Sequence, residues 1–192
     1  MIPDEQEVRA LVRRILLDVL GEEAEASSSA LSQSADAAAV RTIAVASDHG
    51  GFELKQQLIP WLQAQGYQVI DLGTNSKESV DYPDFAYSAA SMVMQGKADA
   101  AIIIDGAGIG SAMAANKLPG VRASMCYDVA TARNAREHNH ANVLTLGAGM
   151  IDVDLAKAIV KTWLETPWGG GRHARRVAKI TAIEQRFSKA NC

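Results

Sequence analysis

Three short polar clusters in the sequence combine residue types that can move protons or bind anions. Each cluster follows an apolar run. The clusters are Asp48-His49, Asp105 with Gly106, Gly108 and Gly110, and Tyr127-Asp128. Carboxylates and imidazoles act as general acids and bases, and closely spaced glycines let backbone N–H groups approach a negatively charged ligand. If the fold brings these clusters together, they predict a site for proton transfer on such a ligand.

The glycine loop after Asp105 has three interpretations. Its spacing is similar to a dinucleotide-binding fingerprint, but the loop follows the third predicted strand instead of the first, and a lone match of this kind is weak. The glycines could also serve only to let a helix pack tightly against a sheet. The third interpretation is a cradle for an oxyanion or enediolate, formed by backbone N–H groups where the next helix begins. We favour the cradle.

Apolar runs and helical periodicity alternate from residue 40 onward. The predicted strands are Thr42–Ser47, Gln68–Leu72, Ala100–Ile104, Val121–Met125 and Val143–Leu146. The predicted helices are Phe52–Gln65, Tyr82–Gln95, a segment ending at Asn116, Val129–His138, Val153–Glu165 and Arg175–Ser188. This alternation predicts an α/β fold with a mainly parallel sheet of about five strands and helices on both faces. Ligands of such sheets bind outside the carboxyl ends of the strands, so we expect the polar clusters to converge there.

Composition excludes several classes of protein. The chain has 192 residues, two cysteines and a net charge of −3. Two cysteines cannot build a disulfide framework or a zinc site, and this composition suits a reducing cytosol. Apolar runs are too short for a membrane span, and the N-terminus does not have the pattern of a secretory signal. A nucleic-acid-binding domain of this size is usually basic, so we expect neither a nucleic-acid nor a membrane partner.

The first 39 residues differ in composition from the rest of the chain. They carry eight acidic and three basic residues. Residues 1–21 have a helical stripe of apolar side chains, which ends at Gly21. The stripe consists of Val8, Leu11, Val12, Ile15, Leu16, Val19 and Leu20. Residues 22–39 are mostly Ala, Ser, Glu, Gln and Asp, which predicts a flexible linker, with the main domain at 40–192.

A helix as short as that predicted over residues 1–21 is marginal alone in water and needs a surface for its stripe. The helix could pack on its own domain or on a second copy, or lie on a membrane, although its acidic charge opposes the last alternative. A helix followed by a low-complexity linker and an enzyme is also similar to the encapsulation peptides of bacterial microcompartment cargo. That similarity implies a docking peptide for a shell protein.

Several motifs in the main domain occur together in one known family. They are Ser47–Phe52 with Leu54-Lys55, Asp71–Thr74, Ser79–Asp84, Gly106–Lys117, Arg136–Asn139, Ala141–Leu144 and Gly170–His173 with Arg175-Arg176. In order and spacing, from about residue 43 to 185, they resemble ribose-5-phosphate isomerase B. The resemblance implies a Rossmann-like three-layer sandwich and a homodimeric aldose–ketose isomerase that uses no metal or other cofactor. The family also includes galactose-6-phosphate isomerase subunits.

The resemblance also assigns roles to single residues. It implies that His138 assists opening of the sugar ring, that Asp48 binds a sugar hydroxyl and that His49 lies near the ligand. Tyr82 resembles a ring-stacking tyrosine, and Arg172 and Arg176 resemble phosphate ligands. Asn116 is expected near the glycine cradle, and Asn116 and Asn139 are both expected to bind the substrate. The implied catalytic set is Asp105, Gly106, Ala107, Gly108, Gly110 and His138.

The chain departs from the family pattern at four positions. One branch of the family has a cysteine base where this chain has Asp105, and another has a glutamate where this chain has Ser111. The galactose-6-phosphate branch carries an acid at the position of Asp105, and a carboxylate can abstract the same proton. Ala107 replaces a residue that is often Thr or Ser. Gly149 replaces a phosphate-binding arginine.

We therefore expect a sugar-phosphate isomerase that converts ribose 5-phosphate to ribulose 5-phosphate through a cis-enediolate, with Asp105 as base. The alternatives are an isomerase of another sugar phosphate, of the hexose 6-phosphate type, and an inactive relative that only binds sugar phosphate. The expected partners are the substrate, a second copy of the chain in a dimer or tetramer whose subunits share each site, and a shell protein. The expected location is the bacterial cytoplasm, in the lumen of a microcompartment.

Overall fold

The computed structural model describes residues 40–188, which alternate between strands and helices. The strands are β1 (Thr42–Ser47), β2 (Gln68–Asp71), β3 (Ala100–Asp105), β4 (Ala123–Met125) and β5 (Val143–Gly147). The helices are α1 (Phe52–Ala64), α2 (Tyr82–Met94), α3 (Ile109–Ala115), α4 (Val129–Asn139), α5 (Val153–Glu165) and α6 (Gly171–Ser188). The helix predicted over residues 1–21 and the linker predicted over 22–39 lie outside the described residues.

The five strands form one sheet in the order β2-β1-β3-β5-β4, and every pairing is parallel. The predicted α/β fold is confirmed, with a sheet that is wholly parallel. Strand β3 lies at the centre and pairs Ile104 with Ser47 of β1 and Asp105 with Gly147 of β5. The carboxyl ends of these three strands are therefore level, so the segments that follow them start at one edge of the sheet, which we call the carboxyl edge.

Each face of the sheet is covered by its own apolar cluster. On one face, Ile102 and Ile104 pack with side chains of α1, α4 and α5. On the other face, Ala101 and Ile103 pack with alanines of α2 and with α3. All six residues of β3 are buried, which explains why its sequence is apolar throughout instead of alternating. No helix in the described part of the chain is long and apolar enough to cross a membrane.

Two elements differ from the sequence prediction at their N-terminal ends. Strand β4 starts at Ala123 instead of Val121, because the Val121 amide bonds back to the Leu118 carbonyl in a turn. Helix α6 starts at Gly171 instead of Arg175. The helix therefore includes Gly171, the last of the three glycines that precede Arg172. Arg172 and Arg176 therefore lie four residues apart on its first turns and share one side of the helix.

The C-terminal end of α4 is closed by His140, which takes a left-handed backbone conformation with φ of 50°. Its imidazole ring stacks on the indole of Trp168, with ring centroids 4.7 Å apart. Partial burial lowers the pKa of His140, and the nearby positive charges of Arg122 and Arg136 lower it further. Protonation of His140 therefore opposes folding, since the unfolded chain holds this proton more tightly.

We predict that the free energy of unfolding falls as the pH is lowered from about 7 to about 5, because the ordinary histidine pKa lies between these values. Replacing His140 with Asn keeps a residue that tolerates the left-handed conformation and removes the titrating group. Urea unfolding of the His140→Asn variant should show a weaker pH dependence than that of the unaltered chain. An equal pH dependence in both proteins would contradict this assignment.

Candidate active site

The carboxylate of Asp105 organises the glycine loop at the carboxyl edge. Asp105 is the last residue of β3 and is 5% exposed. One of its oxygens accepts hydrogen bonds from the backbone N–H groups of Ala107 (2.8 Å) and Gly108. The other accepts from the backbone N–H (3.0 Å) and the hydroxyl of Ser111. Four donors thus surround one carboxylate and fix both its oxygens and the path of the loop.

The carbonyl groups of the same loop are held by side chains from neighbouring segments. The phenol of Tyr127 donates to the carbonyl of Ala107 at 2.8 Å. The buried hydroxyl of Thr145, on β5, donates to the carbonyl of Gly108 at 2.8 Å. Gly108 has φ of 77° and precedes α3, a conformation that favours glycine. The loop is therefore pinned through its N–H groups and its carbonyls, which makes it a rigid platform.

The Asp48-His49 cluster lies next to this platform. Asp48 is buried, and its Oδ1 accepts a hydrogen bond from the Gly51 amide at 2.9 Å. A Cβ atom on Gly50 would lie 3.6 Å from the Gly106 amide nitrogen, which shows how closely the two loops approach. His49 is exposed, and its Nδ1 accepts from the Val80 amide at 3.3 Å. One oxygen of Asp48 thus stabilises the turn at Gly51, and the side chain lies beside the glycine loop.

Tyr82 is the third predicted residue found at the platform. Its ring lies against Gly110, where a Cβ atom would meet the ring carbon Cζ at 2.5 Å. Glycine is therefore required at 110 for the ring to sit in this place. Tyr82 starts α2 and remains 40% exposed. A half-exposed aromatic ring above a pinned glycine loop can form one wall of a ligand site.

Of the third polar cluster, only Tyr127 contacts the loop. Asp128 instead caps α4, where its carboxylate accepts from the Thr131 amide at 2.7 Å and the Thr131 side chain reaches back to the Asp128 backbone. The Thr131 amide and hydroxyl lower the pKa of Asp128. Its charge is thus placed at a helix N-terminus, where it stabilises the helix.

A second group of predicted residues is built around His138, near the end of α4. Its imidazole stacks on that of His173, with ring centroids 4.2 Å apart and planes 4° from parallel. The amide nitrogen of Asn134 donates to Nδ1 of His138 at 2.9 Å. Nδ1 is therefore an acceptor, and the proton of the neutral ring is on Nε2, which lies 3.7 Å from a carboxylate oxygen of Glu137. The ring is held in one orientation and one tautomer.

Positive charge and further amides surround His138. Arg172 donates through Nε to Nε2 of His173 at 3.3 Å, and Arg176 lies one turn later on the same helix. Both arginines are exposed. Asn139 is exposed and donates to the side-chain oxygen of Asn134 at 3.2 Å. We call His138, Asn139, Arg172, His173 and Arg176 the His138 cluster. Its guanidinium groups have the chemistry that binds a phosphate dianion.

The topology places the glycine loop at the carboxyl edge, where the strands end, and the His138 cluster at the opposite side of the sheet, where the strands begin. Asp105 is level with Gly147, whereas Val143 at the start of β5 is level with Ala101, about 13 Å earlier along the strand. Helix α4 runs back from the carboxyl edge, and His138 lies near its end, shortly before β5 begins. Within one chain, the predicted site residues therefore lie in two separate groups, which we call half-sites.

Asn116 also lies away from the glycine loop, at the far end of α3. Its amide nitrogen donates to the carbonyls of Ala112 and Ala123, both at 2.9 Å, and its oxygen accepts from the Ala123 amide at 2.8 Å. Ala123 is the first residue of β4, the edge strand. Asn116 thus fixes the start of this strand to α3, and the structure does not bring it to the cradle as we expected.

The positions at which the chain departs from the family pattern are structurally well defined. The Gly149 amide donates to the Gly106 carbonyl at 3.0 Å, and a Cβ atom on Gly149 would lie 3.0 Å from the same oxygen. Ala107 uses both backbone groups, on Asp105 and Tyr127. Neither position supplies a polar side chain to the site.

Sequence reasoning missed several residues that support the two half-sites. Ser111 and Thr145 are fully buried hydroxyl residues, and Asn134 orients His138. Ser111 could have been found, because it occupies a position at which one branch of the family has its base. Thr145 and Asn134 gave no signal, since their roles depend on which strand and helix turn lie beside them.

Comparison with known proteins agrees with this architecture. A sequence profile described as Ribose/Galactose Isomerase matches residues 43–180. The chain is 45% identical to ribose-5-phosphate isomerase B of Escherichia coli over 147 residues, which are 77% of this chain and 99% of the relative.

Solved structures of ribose-5-phosphate isomerase B also resemble the chain. The Clostridium thermocellum protein matches with a TM-score of 0.75 and 49% identity, over 76% of this chain and 99% of that one. The Mycoplasma genitalium protein, solved with bound ribulose 5-phosphate, matches with a TM-score of 0.73 and 40% identity, over 75% and 96% of the two chains. The predicted family and enzyme class are confirmed: the chain belongs to the ribose/galactose isomerase family and is an aldose–ketose isomerase.

Proposed function

We propose that this enzyme interconverts ribose 5-phosphate and ribulose 5-phosphate, with Asp105 as the base. The observation that carries the proposal is the buried carboxylate of Asp105 at the end of the central strand, inside a pinned glycine loop and beside Asp48. The relatives named for this reaction match nearly their whole length. A base at this place would take the C2 proton of the open-chain aldose.

The proton transfer can be written on the groups of the loop. Asp105 takes the proton from C2, the electrons of the C–H bond form a C1=C2 double bond, and the π electrons of the C1 carbonyl move onto its oxygen to give the cis-enediolate. The same carboxyl group then returns the proton to C1, while the proton of the C2 hydroxyl passes to the C1 oxygen and the C2 carbonyl of the ketose forms. Four donors already surround the carboxylate. One of these hydrogen bonds must therefore break before the carboxylate can accept a proton. The Ser111 hydroxyl can rotate, whereas the three backbone N–H groups cannot.

The enediolate oxygens need hydrogen-bond donors that Asp105 does not already use. The amides of Ala107, Gly108 and Ser111 point at the carboxylate. The amides of Ile109 and Gly110 lie in the first turn of α3, where no carbonyl four residues earlier in the helix can pair with them. We assign these two N–H groups to the enediolate, where donors fixed in advance stabilise developing charge.

The His138 cluster supplies the remaining functions, namely ring opening by His138 and phosphate binding by Arg172 and Arg176. Because one chain holds this cluster at the edge opposite Asp105, we propose a homodimer in which each site combines the glycine loop of one subunit with the His138 cluster of the other. An exposed apolar row on α6, formed by Ile180, Ile183 and Phe187, lines a groove beside edge strand β4. Such a surface suits burial against another copy.

An NMR isomerisation assay with ribose 5-phosphate and a panel of other aldose phosphates tests the proposed reaction. We expect turnover of ribose 5-phosphate, and a loss of about 100-fold or more in kcat for Asp105→Asn, because removing a proton-transfer group costs this much. Binding of the substrate should persist in this variant. Asp152→Asn, which keeps a good helix cap on α5, is the matched control and should retain full activity.

Full activity of the Asp105→Asn variant would show that Asp105 is not the base. Turnover of a hexose 6-phosphate, without turnover of ribose 5-phosphate, would show that the substrate is a hexose 6-phosphate. Absence of turnover with every sugar on the panel would contradict the proposed reaction and favour a protein that only binds sugar phosphate.

We further propose that residues 1–21 are a docking peptide that directs the enzyme to a microcompartment shell protein. The support is the apolar stripe in the sequence and the polar linker that follows it. The stripe would bury its side chains in a groove of the shell protein. The enzyme would then work in the lumen of a microcompartment within the bacterial cytoplasm.

Deletion of residues 1–21 should leave turnover unchanged and abolish co-purification with co-expressed shell proteins. Leu16→Gln, which changes the stripe, should weaken co-purification, whereas Arg13→Gln, which lies off the stripe, should not. Shell association that survives the deletion would overturn the docking assignment. Loss of turnover would instead indicate that the segment belongs to the enzyme domain.

A further inference from the structure

His173 is buried on α6, with 8% of its surface exposed, whereas the neighbouring Arg172 and Arg176 are exposed. Its ring lies flat against that of His138, with centroids 4.2 Å apart and planes 4° from parallel. The first turns of α6 are thus joined to the end of α4 through two stacked imidazoles. His173 thus touches the ring that we assign to ring opening.

The second contact of His173 is with Arg172. The Nε of Arg172 donates a hydrogen bond to Nε2 of His173 at 3.3 Å. This contact requires that Nε2 carry no proton, so His173 is neutral when it is made. Burial lowers the pKa of His173, and the adjacent His138 ring and the positive charges of Arg172 and Arg176 lower it further, while Glu137 opposes them. The environment therefore favours the neutral ring that the hydrogen bond needs.

We propose that His173 is a positioning residue that orients the His138 ring by stacking and the Arg172 guanidinium through its Nε2 acceptor. One side chain would then hold both the ring-opening group and a phosphate ligand in a single arrangement. This proposal rests on the roles of His138 and Arg172 in the proposed function. The two contacts use different parts of the ring, its face and its nitrogen, so they can be removed separately.

Three substitutions separate the two contacts. His173→Phe keeps an aromatic face for His138 and removes the acceptor for Arg172. His173→Gln keeps an acceptor oxygen near the position of Nε2 and removes the aromatic face. His173→Ala removes both. Arg175→Gln is the matched control, because it removes a positive charge from the same helix turn at an exposed position to which we assign no role.

Two kinds of measurement report on the two contacts of His173. The first is the affinity for inorganic phosphate by calorimetry, together with KM and kcat for ribose 5-phosphate. The second is the NMR signals of the His138 ring protons in the free protein, assigned by their loss in His138→Asn. These protons lie in the ring current of a stacked neighbour, so removing the His173 ring should move them downfield. The NMR measurement requires no turnover.

We expect His173→Phe to raise KM and weaken phosphate binding by about three- to tenfold, as for the loss of one ordinary hydrogen bond, while kcat changes little. The His138 signals of this variant should stay upfield. His173→Gln should show the opposite pattern, with near-normal phosphate binding, downfield His138 signals and a lower kcat. His173→Ala should combine both losses, and Arg175→Gln should match the unaltered enzyme.

The proposal is overturned if the His138 signals and phosphate affinity of His173→Ala equal those of the unaltered protein. It is also overturned if Phe, Gln and Ala all raise KM and lower kcat by similar factors, because that pattern indicates only a packing role. Failure of the proposed function has a different signature: an unaltered protein with no turnover and no phosphate binding, whose His138 signals still respond to substitution of His173.

Discussion

The carboxylate of Asp105 is the group on which the geometry of the glycine loop depends. Three backbone N–H groups and one hydroxyl converge on it at the end of the buried central strand. Without this carboxylate, these donors would be buried without partners, a state that costs free energy. The same carboxylate is the one that we propose as the base. Fold and chemistry are therefore linked at a single side chain, and a change of charge at Asp105 affects both.

A second constraint comes from the parallel topology. Each helix that follows a strand must run back to the opposite edge before the next parallel strand can begin. Residues at the ends of strands and residues at the ends of helices are for this reason separated by the length of the sheet. Asp105 ends a strand and His138 lies near the end of a helix. We therefore propose that a second subunit supplies one of the two groups to each sugar phosphate, through association at the exposed apolar row on α6.

Much of the fold could be predicted from the sequence, because β3 is apolar throughout and the segments around it alternate between apolar runs and helical periodicity. The half-site at the carboxyl edge was also predictable, since loops after parallel strands meet at one edge. The starts of β4 and α6 were not, because they depend on a turn at Val121 and on a helix that includes Gly171. The role of Asn116 depends on edge strand β4 lying beside it, and the contacts of Ser111 depend on how the loop folds back onto Asp105. Neither kind of contact is visible in residue spacing.

The most direct test of a site shared between subunits is complementation between two inactive variants, Asp105→Asn and His138→Asn. In a mixed dimer, one site carries both substitutions and the other carries neither. If subunits exchange freely, an equal mixture of the two variants should recover about a quarter of the activity of the unaltered enzyme, since half of the dimers then contain one intact site. If mass spectrometry shows that mixed dimers form and the mixture remains as inactive as the separate variants, the shared site is contradicted.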